Sequence, residues 1–187
     1  MKKYYAFFII SLITLITTVL SAEDAVQKKS FGLTASTSAD YSTAGFIYNF
    51  SKSAALRPAV GIYQVDNFIK EYSLLADLLL FLKEDNNFSI YYGPGLGISY
   101  SSEQYKYKNG DRSKTTSNSI TLSAVIGAQY MLSDRFGFFA DTGLQLTRIK
   151  RKLEEYDYSS DTDYNAEETD NVIKLRTASI GAIFYFF

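Results

Sequence analysis

The 187-residue sequence has no cysteine, no histidine and no tryptophan, and only two prolines, Pro58 and Pro94. Without cysteine there are neither disulfides nor thiolate metal sites. Without histidine the usual general base, the commonest imidazole ligand and the familiar catalytic triad are all missing, which removes most enzyme classes. So few prolines leave long strands uninterrupted. A strong charge bias is missing too: 19 Lys and Arg face 20 Asp and Glu. A nucleic-acid partner would favour a markedly basic surface, so that class is also excluded. Beyond the N-terminus no apolar run is long enough for a transmembrane helix. The best, Leu74 to Leu82, is short and contains Asp77. It reads as a strand, with a helix of a different fold as the alternative.

Aromatic residues are plentiful instead, with 16 Tyr and 14 Phe. The start of the chain has its own signature. Met1, Lys2 and Lys3 precede an apolar run from Tyr4 to Leu20, then the small Ser21 and Ala22, then the first acids, Glu23 and Asp24. That order marks a secretory signal peptide over residues 1–22, cleaved after Ser21 or Ala22. The other reading of the run is an uncleaved single-pass helix. Removing residues 1–22 takes Lys2 and Lys3 from the 19 basic residues and leaves all 20 acids, for a net charge of about −3. Residues 23–187 then form one domain of ordinary size.

Within that domain, polarity alternates residue by residue, the mark of strands with two unlike faces. From Ile120 to Leu132 every even position is apolar, while Thr121, Ser123, Gly127 and Gln129 stand between them. Phe88 to Tyr100 repeats the pattern, with Phe88, Ile90, Tyr92, Leu96 and Ile98 opposed by Ser89, Gly93, Gly95, Gly97 and Ser99. Phe136 to Leu146 and the final stretch from Thr177 follow suit, and less regular strands are expected near 30–38, 43–50, 54–65 and 71–82. The total is eight. The faces are inverted relative to a soluble barrel or sandwich, whose second face would carry Lys and Glu. Here that face carries Gly, Ser, Thr and Gln, small enough to crowd a narrow interior. The expected fold is all-β: an eight-stranded antiparallel transmembrane up-and-down barrel with its apolar band outward, closed because hydrocarbon tolerates no open edge.

Connection lengths alternate as such a barrel requires. Short links are expected at Ser51–Ser53, Lys83–Asn87 and Ser133–Arg135. The others are Ala39–Ser42, Asp66–Lys70 and two long loops, Ser101–Asn118 and Arg151–Asn171. With both termini on the periplasmic side, short turns lie there and longer loops outside.

The chain ends Gly181-Ala182-Ile183-Phe184-Tyr185-Phe186-Phe187. Gly181, Phe184 and Phe186 resemble the terminal assembly signal of outer-membrane barrels. Phe187 trails by one, which leaves two registers for the last strand. Two further stretches, Tyr92-Gly93-Pro94-Gly95-Leu96-Gly97-Ile98-Ser99-Tyr100 and Gly127 through Gly143, resemble the small outer-membrane barrels of the opacity and OmpX type. That resemblance implies an integral outer-membrane location, contact with outer-membrane lipid and insertion by the barrel assembly machinery through the C-terminal strand. It implies no common activity, since members serve as adhesins, structural anchors and surface-protective proteins.

By the alternation, Arg57, Asp77 and Asp141 point inward on different strands, with Asn49, Gln129 and Gln145 on the same side. An unpaired buried ion costs several kcal/mol or more, so a polar network filling the lumen is expected; the sharper alternative is a narrow polar pathway. Of the two long loops, one leans basic through Lys106, Lys108, Arg112 and Lys114. The other is acidic through Glu154, Glu155, Asp157, Asp161 and Asp163, and is entered by Lys150, Arg151 and Lys152. Together they form the candidate binding surface for an extracellular ligand, and the basic flank could meet lipid phosphate. Asp161-Thr162-Asp163 begins like a calcium loop, but Ala166 stands where Gly is needed and Val172 where Glu is needed. Neither a metal nor a cofactor is expected, nor catalysis. The expected role is non-enzymatic, in adhesion or surface protection; the alternative is a small channel for hydrophobic or very small solutes.

Overall fold

The computed structural model describes residues 31–39, 41–65, 69–85, 87–107, 111–157 and 162–186. The expected signal peptide, 1–22, lies outside them. Eight strands follow in chain order: β1 (Phe31–Ser38), β2 (Ser42–Asn49), β3 (Ala54–Val65), β4 (Ile69–Asp85), β5 (Phe88–Lys106), β6 (Arg112–Met131), β7 (Phe136–Asp157) and β8 (Thr162–Tyr185). Each pairs antiparallel with the next, and β8 returns to β1 to close the barrel. Leu74 to Leu82 is strand, within β4.

The two prolines sit where the ladder can spare a donor. Pairing of β2 with β3 skips from Gly45↔Ala59 to Tyr48↔Leu56 beside Pro58. Pairing of β4 with β5 skips from Asp77↔Gly95 to Leu80↔Tyr92 beside Pro94.

The outward face is apolar and open, with Val60, Leu96 and Ile126 each more than half exposed. A continuous surface of this kind exceeds what soluble monomers leave bare. On β5 it runs from Phe88 to Tyr100. Twelve residue steps at the usual strand rise and barrel tilt span about 30 Å of height, roughly the hydrocarbon thickness of a bilayer. Aromatic rings gather at the turn end: Phe31 stacks on Phe46 at 5.5 Å, and Phe184 meets Phe186 edge-on at 5.5 Å. In the last strand Phe184 faces out and Tyr185 is buried, which settles the register.

Two expectations need correction. The stretches read as long loops are largely strand. Lys106, Arg112, Lys114, Glu154, Glu155, Asp157 and Asp163 all lie on β5 to β8, and pairing of β7 with β8 continues to Asp157↔Thr162. They looked like loops because both faces are polar there. A ribbon that has left the lipid needs no apolar face, and its Thr, Tyr and Ser residues still suit a strand. Strand length therefore climbs around the barrel, from 8 residues in β1 and β2 to 24 in β8. One wall is low and the opposite wall is tall.

The interior is also less uniformly polar than its small side chains suggested. At the turn end Ile47, Ala55, Leu79, Tyr91, Val125, Met131, Phe139, Ile183 and Tyr185 form a buried apolar cluster, with Phe81 packed against it. Glycines make room for its rings. A Cβ on Gly127 would come within 2.6 Å of the Tyr91 hydroxyl, and one on Gly181 within 2.3 Å of the Phe139 ring.

Candidate functional site

Directly above the apolar cluster the lumen holds four charges. Arg57 on β3 faces Asp77 on β4, its direct partner in the ladder, and Arg57 Nη2 donates to Asp77 Oδ2 at 2.8 Å and to Asp141 Oδ2 at 2.6 Å. Arg176 of β8 closes the group with paired hydrogen bonds to Asp77, Nη1 to Oδ1 at 3.0 Å and Nη2 to Oδ2 at 3.1 Å. Asp141 also accepts from the Tyr91 hydroxyl at 3.1 Å and from Ser179 Oγ at 2.7 Å. The Arg57 guanidinium lies 4.6 Å from the Phe139 ring centre, a cation–π contact that roofs the apolar cluster with charge. Two arginines and two aspartates cancel, and each carboxylate has several donors. That is the condition under which buried ions are tolerated.

The sequence placed Arg57, Asp77 and Asp141 on the inner face, and the structure brings all three into contact. It does not bring Gln129 or Gln145 with them. Gln129 lies lower and donates to Met131 Sδ at 3.1 Å, while Gln145 lines the cavities above. Sequence reasoning missed Arg176 and gave Tyr91 no role. Arg176 shares parity with the outward Ala178 and Ile180, so strict alternation turns it to lipid. A register shift opposite Asp141–Gly143 reverses the faces of β8 at this point. The signal was present in the sequence: Ile173 and Leu175 are apolar at odd positions, whereas Ala178, Ile180 and Ala182 are apolar at even ones.

Above the quartet a cavity of about 60 Å³ is lined by Thr34, Ser36, Thr43, Lys174 and Ser179. It leads to a wider one of about 310 Å³ between Ser73, Ser99, Ser119, Thr121 and Thr147. These hydroxyls bond to each other across strands, Ser99 to Ser119 at 2.7 Å and Thr121 to Thr147 at 2.9 Å. The lumen is thus a cup, with an apolar base, a charged floor and hydroxyl walls. Asp141, which accepts from Ser179 Oγ, is engaged by Arg57 as well, so its carboxylate is committed to the charged floor. Among the described residues no group of three or more Asp and Glu is arranged to hold a metal.

The second candidate surface is the tall wall. Lys114 and Lys152 both reach Glu154, at 3.8 and 2.8 Å, and Arg151 pairs with Asp170. The Lys152 hydrogen bond, followed by the charges of Lys152 and Lys114, holds the Glu154 carboxyl below the usual glutamate range. Lys152 is raised in turn, chiefly by that hydrogen bond. Lys108 and Asp161 lie outside the described residues, as do the side chains of Asp157 and Asp163.

No protein-family model matches the sequence, and neither does any curated protein. Among solved structures, a major outer membrane protein from Thermus thermophilus matches with a TM-score of 0.61 at 14% identity, over 86% of this chain and 100% of that one. CarO2 of Acinetobacter baumannii matches over 86% of this chain and 100% of its own, at 13% identity and a TM-score of 0.43. The closed ring of eight strands, its apolar outer band and the likeness to the Thermus protein give this chain the fold of an outer-membrane β-barrel.

Proposed function

We propose that the chain is exported, loses its signal peptide and serves in the bacterial outer membrane as a non-enzymatic surface protein. It acts in adhesion or surface protection through the part of β5–β8 that rises past the apolar band. The observation that carries this reading is a lumen sealed at its base beneath a tall exposed wall. A sealed lumen suits an anchor more than the alternative, a small channel. The resemblance of Tyr92–Tyr100 and Gly127–Gly143 to opacity and OmpX-type barrels agrees with it. The start of β1, the end of β8 and the three short turns share one end of the barrel, which suits a periplasmic orientation for that end. The terminal aromatics suit delivery by the barrel assembly machinery. The absence of histidine, with Asp77 and Asp141 both engaged by Arg57 and Arg176, supports a non-enzymatic role.

Two measurements test it. Purified, heat-modifiable protein in a planar bilayer should give no conductance steps; regular steps would favour the channel. Cells producing the protein should gain adherence or serum survival, and lose it when β5–β8 are trimmed to the height of the band. An unchanged phenotype after trimming would remove the surface role.

A further inference from the structure

The charges that the sequence divides between two loops are divided in the fold between two faces. On β7 the outward series runs Leu144, Leu146, Arg148, Lys150, Lys152, so lipid-type side chains give way to three cations in consecutive outward positions. The register sets Arg148 beside Ile120, the last apolar outward residue of β6, and Lys150 beside Asn118. Lys114 follows on β6, and Lys106 pairs with Arg112 where β5 meets it. These six cations share the outward face of β5–β7, starting where the apolar band stops. Among the described side chains of β5–β8 only two carboxylates, Glu154 and Glu167, share that face, and Lys152 stands beside both. The opposite face of the wall carries Glu103, Glu155, Glu168 and Asp170 against Arg151 and Lys174. Arg148 and Lys150 have no ion-pair partner among the described residues, and both are exposed.

We propose that this outward basic apron binds the phosphate groups of an anionic lipid in the leaflet surrounding the barrel. Three successive outward side chains on one strand cover about 13 Å along it, so the apron begins at the apolar boundary and rises through the headgroup layer. Cations placed at that height meet membrane phosphates without leaving their strands. The faces differ in sign as this requires, because a lipid reaches only the outer one. Glu154 limits the apron by holding Lys152 and Lys114. The inference rests on the membrane reading above and adds the ligand class.

The test uses the full folded barrel in zwitterionic detergent micelles, with retention of bisphosphorylated lipid A and of its dephosphorylated form read by native mass spectrometry. Each basic residue near an anionic membrane surface contributes about five-fold in binding. Arg148→Gln with Lys150→Gln should therefore lower retention of the bisphosphorylated lipid by about 25-fold, and added salt should weaken it in the wild type. Glu154→Gln should raise it about five-fold. Lys174→Gln, inside the cup, should leave it unchanged. Equal retention of both lipids, an unaffected double variant, or displacement by inorganic phosphate at matching phosphate concentration would overturn the proposal. The heat shift on a gel separates the two levels. A protein with no heat shift fails the membrane reading itself, whereas a shifted barrel indifferent to lipid phosphate fails only the apron.

Discussion

Arg57 and Asp77 in the lumen stand 2.8 Å apart with both side chains 6% exposed. Lys152 and Glu154 on the tall wall also stand 2.8 Å apart, but are 50% and 40% exposed. Distance is equal and the chemistry is nearly so; what differs is the company. The wall pair faces water, which screens it and competes for both partners, so it adds little to stability. The lumen pair belongs to a closed group of four charges whose members have little access to water. Removing one strands the others, and the penalty is that of an uncompensated buried ion.

The largest effect is therefore expected from Arg57→Leu, which leaves Asp77 and Asp141 to share Arg176. A loss of about 3–5 kcal/mol is predicted, read as the urea midpoint of the micelle-bound barrel. Arg57→Met combined with Asp77→Leu removes one charge of each sign and leaves Arg176 with Asp141, 3.8 Å apart. It should recover most of that loss, since matched apolar replacement of a buried pair is often neutral. Failure to recover would mean that the quartet is held by its geometry more than by its charge balance.

Arg176→Gln comes next. Its side chain is 14% exposed, at the water side of the group, and it supplies two charge-assisted hydrogen bonds to Asp77. About 2–3 kcal/mol is expected. A loss as large as that of Arg57 would place Arg176 inside the sealed region. Gly127→Ala tests the support beneath: the new methyl would meet Tyr91 and the Ala140 carbonyl at 2.6 Å, pushing aside the ring that hydrogen-bonds Asp141. Overpacking of this kind costs about 1–3 kcal/mol. Arg151→Gln on the wall should fall under about 1 kcal/mol despite its pairing with Asp170. A value near that of Arg176 would erase the contrast between wall and lumen.

How much of this was legible in the sequence follows from what alternation can encode. Where one face meets lipid and the other meets a narrow lumen, as from Ile120 to Leu132, period two is enforced at every residue, so strand number, facing and closure could all be read. Asp141 was placed inward because it sits in such a stretch; Arg57 and Asp77 lie in less regular strands, where each is a lone charge in an apolar run. The upper halves of β5 to β8 were misread as loops because water on both sides removes the constraint that produces the pattern. Arg176 was missed because a register shift breaks the parity on which the reading depends. The apolar base was underestimated for a third reason. Gly127 and Gly181 look like a small, polar-compatible face, and only the fold shows that they are small to admit Tyr91 and Phe139 from neighbouring strands.

The smallest effect is expected at Glu154, and it is one of pH. Its carboxyl is held below the ordinary glutamate value, first by the Lys152 hydrogen bond and then by the charges of Lys152 and Lys114. A lowered acid contributes fully above its ordinary value of about 4.3 and is lost as pH falls through the lower, folded-state value. Lys152 is raised, so its share holds below the ordinary lysine value and fades only as pH climbs beyond it. Between those limits the pair is intact, and the urea midpoint should show no step assignable to it. The readout is local: the Glu154 side-chain carbon shift should titrate below the ordinary range in the wild type and move back toward it in Lys152→Gln, with Lys114 still holding part of the difference. Titration of Glu154 at its ordinary value in the wild type would mean that Lys152 spends its time elsewhere, leaving the apron one free cation more.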